Sequence, residues 1–210
     1  MKKIYDIFRV LIVSVGMALP IGAFAAVDSA LVEKAEKYLN SITGLTGDFT
    51  QVAGGKKEAG AFSMLRPGRV RLDYKKLPIQ LISDGKDLYF FDKSLDQITT
   101  IPLTSTPAGI LVREKIDLRK ADITVSETLQ NSKTFALNMH LRDNEGVGNM
   151  LVVFDNSPVK LNSWAVVDAT GAKTEVTFHD LKTKTDFGKN YFQLQRHKTV
   201  SMSSGDSYYD

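Results

Sequence analysis

The 210-residue chain contains no cysteine. That removes disulfide frameworks, thiolate zinc sites, iron–sulfur clusters and cysteine nucleophiles together. Tryptophan occurs once, and no internal repeat or low-complexity linker interrupts the chain. Beyond residue 26 no apolar run approaches the ~20 residues that a membrane-spanning helix needs. Charge of one sign is scarce as well. The formal net charge is +3, and three cations (Lys2, Lys3, Arg9) less one anion (Asp6) supply +2 of it near the N-terminus, leaving +1 on the rest. A chain so nearly neutral lacks the basic patch that nucleic acid demands, so no nucleic-acid partner is expected. The remaining composition, 24 % charged and 43 % apolar, is globular rather than disordered or coiled-coil, and the length suits one domain.

What is present begins with a leader. Lys2, Lys3 and Arg9 precede the apolar stretch Val10–Leu19, Pro20 follows, and Ala23-Phe24-Ala25 ends it. This order of regions reads as a secretory signal peptide over 1–25, with cleavage after Ala25, followed by a single domain over 26–210. No cysteine follows the apolar run, so lipid anchoring through an N-terminal cysteine is excluded. An exported soluble protein of the periplasm is expected.

Over residues 28–42, Leu31, Ala35, Tyr38, Leu39 and Ile42 recur at spacings of three and four, and Glu33, Lys34, Glu36 and Lys37 occupy the other face. This predicts an amphipathic helix, capped by Asp28 or Ser29 and stopped by Gly44. From about residue 48 the period changes to two. Candidate strands run over 48–53, 58–65, 69–75, 79–83, 87–92, 96–102, 123–129, 134–141, 149–155, 160–168 and 173–181, separated by turn signals such as Pro67-Gly68, Asp84-Gly85 and Thr170-Gly171. Hairpin spacing makes the sheet antiparallel, and a long meander hides its edges best by curling into a barrel or half-barrel. Residues 103–122 break the pattern. Thr106-Pro107 reads as a helix start, and Ile110, Leu111 and Ile116 give that insertion an apolar side suited to covering an open end.

Catalytic patterns are missing. His140, His179 and His197 share no ligand spacing, so no metal site is expected. Ser83 and Lys86 match S-x-x-K, but on a hairpin turn their side chains point apart. Phosphate-loop, dinucleotide and nucleophile-elbow motifs are absent, and Asp92, Asp96 and Asp117 read as solvated turn residues. Neither an enzyme nor a cofactor is expected. An outer-membrane barrel is excluded too, because Arg69, Arg71 and Asp73 would face hydrocarbon.

One charge stands out. Strand alternation puts Phe62, Met64 and Arg66 on one face, and Val70, Leu72 and Tyr74 point inward from the next strand. Arg66 therefore ends an inward apolar row. Either its donors are satisfied by carbonyls at a nearby helix end, or it reaches solvent at the strand end. The run Leu88–Phe91 is apolar on both faces and requires cover on both, with the N-terminal helix outside as one candidate.

Taken in order, the helix at 28–42, Leu45-Thr-Gly-Asp-Phe49-Thr-Gln51, Gly60-x-Phe62-x-x-x-Arg66-Pro67, Arg71-Leu72-Asp73-Tyr74, Leu81-Ile-Ser-Asp-Gly-Lys86-x-Leu88-Tyr89-x-x-Asp92 and Asp96-Gln-Ile-Thr99 resemble the periplasmic outer-membrane lipoprotein carrier family, LolA. The resemblance implies a mainly β fold: an unclosed, curved antiparallel barrel of eleven strands with an α lid. It implies a non-enzymatic chaperone that shields the acyl chains of lipoproteins released by an inner-membrane ABC transporter and delivers them to an outer-membrane lipoprotein acceptor. A monomer is expected. The family's lid-locking arginine falls on Arg66, the acyl-chain cavity on Phe62, Met64, Val70, Leu72 and Tyr74, and helix spacing and placement put Ile110 and Leu111 in the lid. A same-fold lipid carrier or envelope-lipoprotein sensor is the alternative. The tail departs from the family: Tyr191-Phe-Gln-Leu194 leads into Arg196-His-Lys198 without the usual Pro-Gly segment.

Overall fold

The computed structural model describes residues 27–120, 122–142, 148–168 and 170–195; the expected leader over 1–25 and the basic stretch 196–198, with His197, lie outside them. Helix α1 (Ser29–Ser41) opens on Asp28, whose side chain accepts hydrogen bonds from the amides of Ala30 and Leu31. That settles the cap on Asp28 rather than Ser29. Its end differs from expectation. The helix stops at Ser41, Ile42 is already extended, and Gly44 is the first residue of a strand. Glycine is needed at 44 for space, since a Cβ there would stand 2.1 Å from the Lys184 carbonyl oxygen.

Eleven strands follow: β1 (Gly44–Ala53), β2 (Lys56–Leu65), β3 (Arg69–Tyr74), β4 (Ile79–Asp84), β5 (Asp87–Asp92), β6 (Gln97–Pro102), β7 (Ile123–Gln130), β8 (Thr134–Leu141), β9 (Asn149–Asn156), β10 (Val159–Val167) and β11 (Lys173–Thr183). They form one antiparallel sheet in the order β6-β5-β4-β3-β2-β1-β11-β10-β9-β8-β7. The chain meanders outward from β1 to one edge, crosses over, and meanders back from the other edge to pair β11 with β1. Strands β6 and β7 remain unpaired with each other, so the barrel is unclosed.

The crossover carries two 3-10 turns, η1 (Leu103–Ser105) and η2 (Pro107–Val112), where an α-helix was expected. The start signal holds, because the Thr106 hydroxyl accepts the Gly109 amide at 3.1 Å. A glycine and two β-branched residues within six positions then weaken propagation, and Arg113, at ψ 150°, has left the helical region.

Both α1 and η2 lie on the concave side of the sheet and share one core with it. Over β8–β10, the Tyr38 ring meets Phe154 edge-on at 5.9 Å and Lys34 stands over Phe135. The Tyr38 hydroxyl accepts the Leu161 amide where the β9–β10 register shifts. The helix therefore does not cover the outer face of β5. Pairing places Leu88 and Phe90 with Leu81 and Ser83 on the concave face, and Tyr89 and Phe91 on the convex one. On the convex face of β2 and β3, cover comes from the C-terminal segment 184–195. The Tyr191 hydroxyl lies 2.9 Å from the Ser63 hydroxyl, and Arg71 donates to the Tyr191 carbonyl at 2.7 Å while stacking on its ring.

Candidate functional site at the concave mouth

Arg66 follows directly on β2, where the chain turns toward β3, and its side chain enters the core with 7 % exposure. Among the described residues the guanidinium forms no ion pair with a carboxylate. Its Nη1 donates to the Leu39 carbonyl in the last turn of α1, and Nε and Nη2 both donate to the Leu111 carbonyl of η2, at 3.2 and 2.9 Å. These carbonyls are among the groups a helix end leaves unsatisfied. Of the two readings open for Arg66, the structure therefore selects carbonyl satisfaction. Burial lowers the Arg66 pKa to about 10, with the Tyr38 hydroxyl acting in the opposite direction. The group stays cationic at neutral pH, and its three bonds are charge-assisted.

The same turn makes a second attachment. Gly68 donates its amide to the Val112 carbonyl at 2.7 Å, and it sits at φ +72° with Gly85 packed against it. A Cβ at 68 would stand 2.6 Å from the Gly85 Cα, so the close approach of the β2–β3 and β4–β5 turns depends on glycine at 68, while position 85 needs glycine for its φ of +112°. Pro67, Gly68, Gly85, Gly109, Ile110 and Val112 line a cavity of about 160 Å³ between these turns and η2.

Of the residues singled out for wall and lid, Ile110 lines this cavity. Phe62, Met64, Leu72, Ile110 and Leu111 are buried in one cluster, and Val70 and Tyr74 are half-buried against it. Tyr74 donates to the Gln51 side chain at 2.7 Å, and burial raises its pKa to about 12. Other participants carried little signal. Phe62 packs against Trp164 and Phe178, from strands whose facing the sequence left open. Asn40 and Glu36 bond to the backbone of the crossover at Ile116 and Leu118. An exposed helix position that recognises a distant main chain leaves no pattern to find. Among the described residues no cluster of His, Asp and Glu could hold a metal ion.

A family model described as "Outer membrane lipoprotein carrier protein LolA" matches residues 40–195. This chain belongs to the LolA family. The match takes in the whole sheet, the crossover and the segment against the convex face. Relatives named outer-membrane lipoprotein carrier protein include one from Neisseria meningitidis serogroup B, 26 % identical over 87 % of this chain and 91 % of its own length. Another, from Chromohalobacter salexigens, is 28 % identical over 85 % and 88 %. A third, from Chromobacterium violaceum, is 25 % identical over 98 % and 100 %. Membership in LolA places the chain among non-enzymatic carriers. No helix of the described residues is long and apolar enough to cross a membrane.

Proposed function

We propose that the mature protein, residues 26–210 after removal of the leader, is a periplasmic chaperone. It takes acylated lipoproteins from an inner-membrane ABC transporter, shields their acyl chains, and surrenders them to an outer-membrane lipoprotein acceptor. Burying one chain of ~16 carbons is worth about 0.8 kcal/mol per CH₂, or on the order of 12 kcal/mol. Lipoprotein does not cross water unaided against such a cost, and the carrier must supply a substitute for lipid that it can also give up. The concave wall of Phe62, Met64, Val70, Leu72 and Tyr74 is the substitute, and Ile110 and Leu111 form the underside of a lid over it.

The observation that carries this reading is the buried Arg66 guanidinium, spent on backbone carbonyls of α1 and η2 rather than on a carboxylate. Phe62, Met64, Ile110 and Leu111 are buried in one cluster, so a chain reaches the wall only when η2 lifts. A hydrogen bond to a charged group contributes about 1.5–3 kcal/mol, so closure by Arg66 is worth a few kcal/mol. That is less than one acyl chain gains on burial, yet enough to bias the empty protein shut and to favour release. Arg66→Leu should retain cargo and pass it on poorly. The test incubates purified mature protein with inner-membrane spheroplasts and weighs the released complexes by native mass spectrometry. A one-to-one complex with an acylated lipoprotein, followed by normal delivery from wild type and failed delivery from Arg66→Leu, supports the reading. Free lipid alone, or normal delivery by the variant, overturns it.

A further inference from the structure

The crossover runs from one edge of the sheet to the other, and it is held at two places by different means. Its first half, Leu103–Val112, is fastened to the β2–β5 side: Arg66 to Leu111, the Gly68 amide to Val112, and the Leu103 amide to the Lys86 carbonyl. Its second half is fastened to α1. The Asn40 side chain grips Ile116 from both sides, accepting its amide at 2.9 Å and donating to its carbonyl at 2.7 Å. One turn earlier, Glu36 accepts the Leu118 amide at 3.0 Å and Arg119 at 3.1 Å. Helix α1 is in turn secured to the other half of the sheet through Tyr38 to Leu161, Lys34 to Asn156 and the Asp28 amide to Thr128. The Arg113–Asp122 ion pair closes the second half on itself.

We propose that Asn40 and Glu36 are positioning residues that pin the crossover at Ile116–Leu118, so that opening is confined to Leu103–Val112. This rests on the carrier reading above. The two joints are chemically unequal. At the first, an arginine and the two backbone bonds of Gly68 and Leu103 hold a pair of short 3-10 turns. At the second, side chains of a secured helix satisfy both backbone groups of Ile116 and the amide of Leu118. A lid hinged there lifts η2 off the shared core, including the parts of β8 and β9 it packs on, while α1 keeps its cover over Phe135 and Phe154. Asn40 and Glu36 thus set which part of the concave face cargo meets.

The chain's lack of cysteine and its single tryptophan make the test clean. Trp164 contacts Phe62 on the concave face, so a dibrominated stearic acid that reaches the wall quenches its fluorescence. Two double-cysteine variants of the mature protein are joined by a short bismaleimide and compared with their own unjoined forms. Ser41→Cys with Lys115→Cys spans the pinned joint and leaves Asn40 and Glu36 in place, and Pro67→Cys with Arg113→Cys spans the lifting one. The proposal expects the first linkage to leave probe affinity within about twofold and the second to weaken it by about tenfold or more. Should Pro67→Cys disturb its turn, Arg69→Cys replaces it. Hydrogen exchange on the unmodified protein supplies an independent readout. Probe binding should expose the Gly68 amide and leave the Ile116 and Leu118 amides protected. Loss of uptake on linking 41 to 115, or deprotection of Ile116, overturns the pin. Failure of the unmodified protein to bind the acyl probe overturns the carrier reading instead.

Discussion

The two halves of the concave face are built from the same kinds of residue and finished differently. Across β8 and β9, Phe135 faces Phe154, Leu137 faces Val152 and Met139 faces Met150, all at 1 % exposure or less beneath α1 and η2. Across β3 to β6, the equivalent rows are Leu72, Leu81, Phe90 and Thr99, and Val70, Ser83, Leu88 and Ile101. There only Leu72 and Ser83 are buried, Val70, Leu81, Leu88 and Phe90 are half-buried, and Ile101 is 42 % exposed. One half is a finished core. The other is an apolar wall with an incomplete cover, and an apolar wall left half-wet suits a surface that exchanges neighbours. The sheet edges repeat the contrast. Strand β7 carries Glu127 and a register shift beside it, and α1 reaches Thr128 there, whereas β6 pairs without a shift and holds no charge.

The sharpest way to break this comparison is to hollow out each half in turn. Phe154→Ala should cost about 3–5 kcal/mol, because the vacated volume lies between Tyr38 and Phe135 and neither can collapse into it. Phe90→Ala removes the same atoms from a half-exposed site and should cost less than half as much, while weakening binding of an acyl probe. Urea denaturation measures the first effect and Trp164 quenching the second. Equal losses of stability would show that the two halves are finished alike.

How far these halves were legible follows from what periodicity can carry. Alternation reveals that a strand has an inside, so Phe62, Met64, Val70, Leu72 and Tyr74 stood out, and eleven hairpin-spaced runs implied the meander. Alternation does not say which side a distant helix will choose. Helix α1 was therefore a candidate for the outside of β5, whereas it lies on the concave side over β8–β10. Arg66 was visible as a charge in an apolar row, but its acceptors are backbone carbonyls 27 and 45 positions away, and a carbonyl has no letter in the sequence. The crossover's apolar residues were readable and its 3-10 form was not, since a capping threonine and proline serve both kinds of turn.

A smaller effect tests how α1 is secured to the finished half. Tyr38→Phe keeps the ring on Phe154 and deletes only the hydroxyl that receives the Leu161 amide. An amide left without its partner there should cost about 1–2 kcal/mol. Because the loss falls on the β7–β10 side, probe binding at the β3–β5 wall should stay unchanged. A change in probe affinity as large as that of Phe90→Ala would erase the division between a permanent core and an exchangeable wall.

The smallest expected effect concerns acid. Hydrogen bonding from Arg113 holds the Asp122 carboxyl below its ordinary value, against a lesser opposing effect of burial. A carboxyl whose pKa is depressed in the folded protein contributes stability above its unfolded pKa and loses it as pH falls through the folded one. The loss therefore belongs below about pH 4. The Asp122 side chain is 42 % exposed, and an ion pair so open to water contributes under about 1 kcal/mol. Asp122→Asn should accordingly lower the denaturation midpoint slightly at pH 7 and not at all at pH 2.5. The pinned half of the crossover keeps Asn40 and Glu36 throughout at neutral pH, so acyl-probe affinity at pH 7 should match wild type. A large loss of affinity in Asp122→Asn would mean that the second half of the crossover moves with the first.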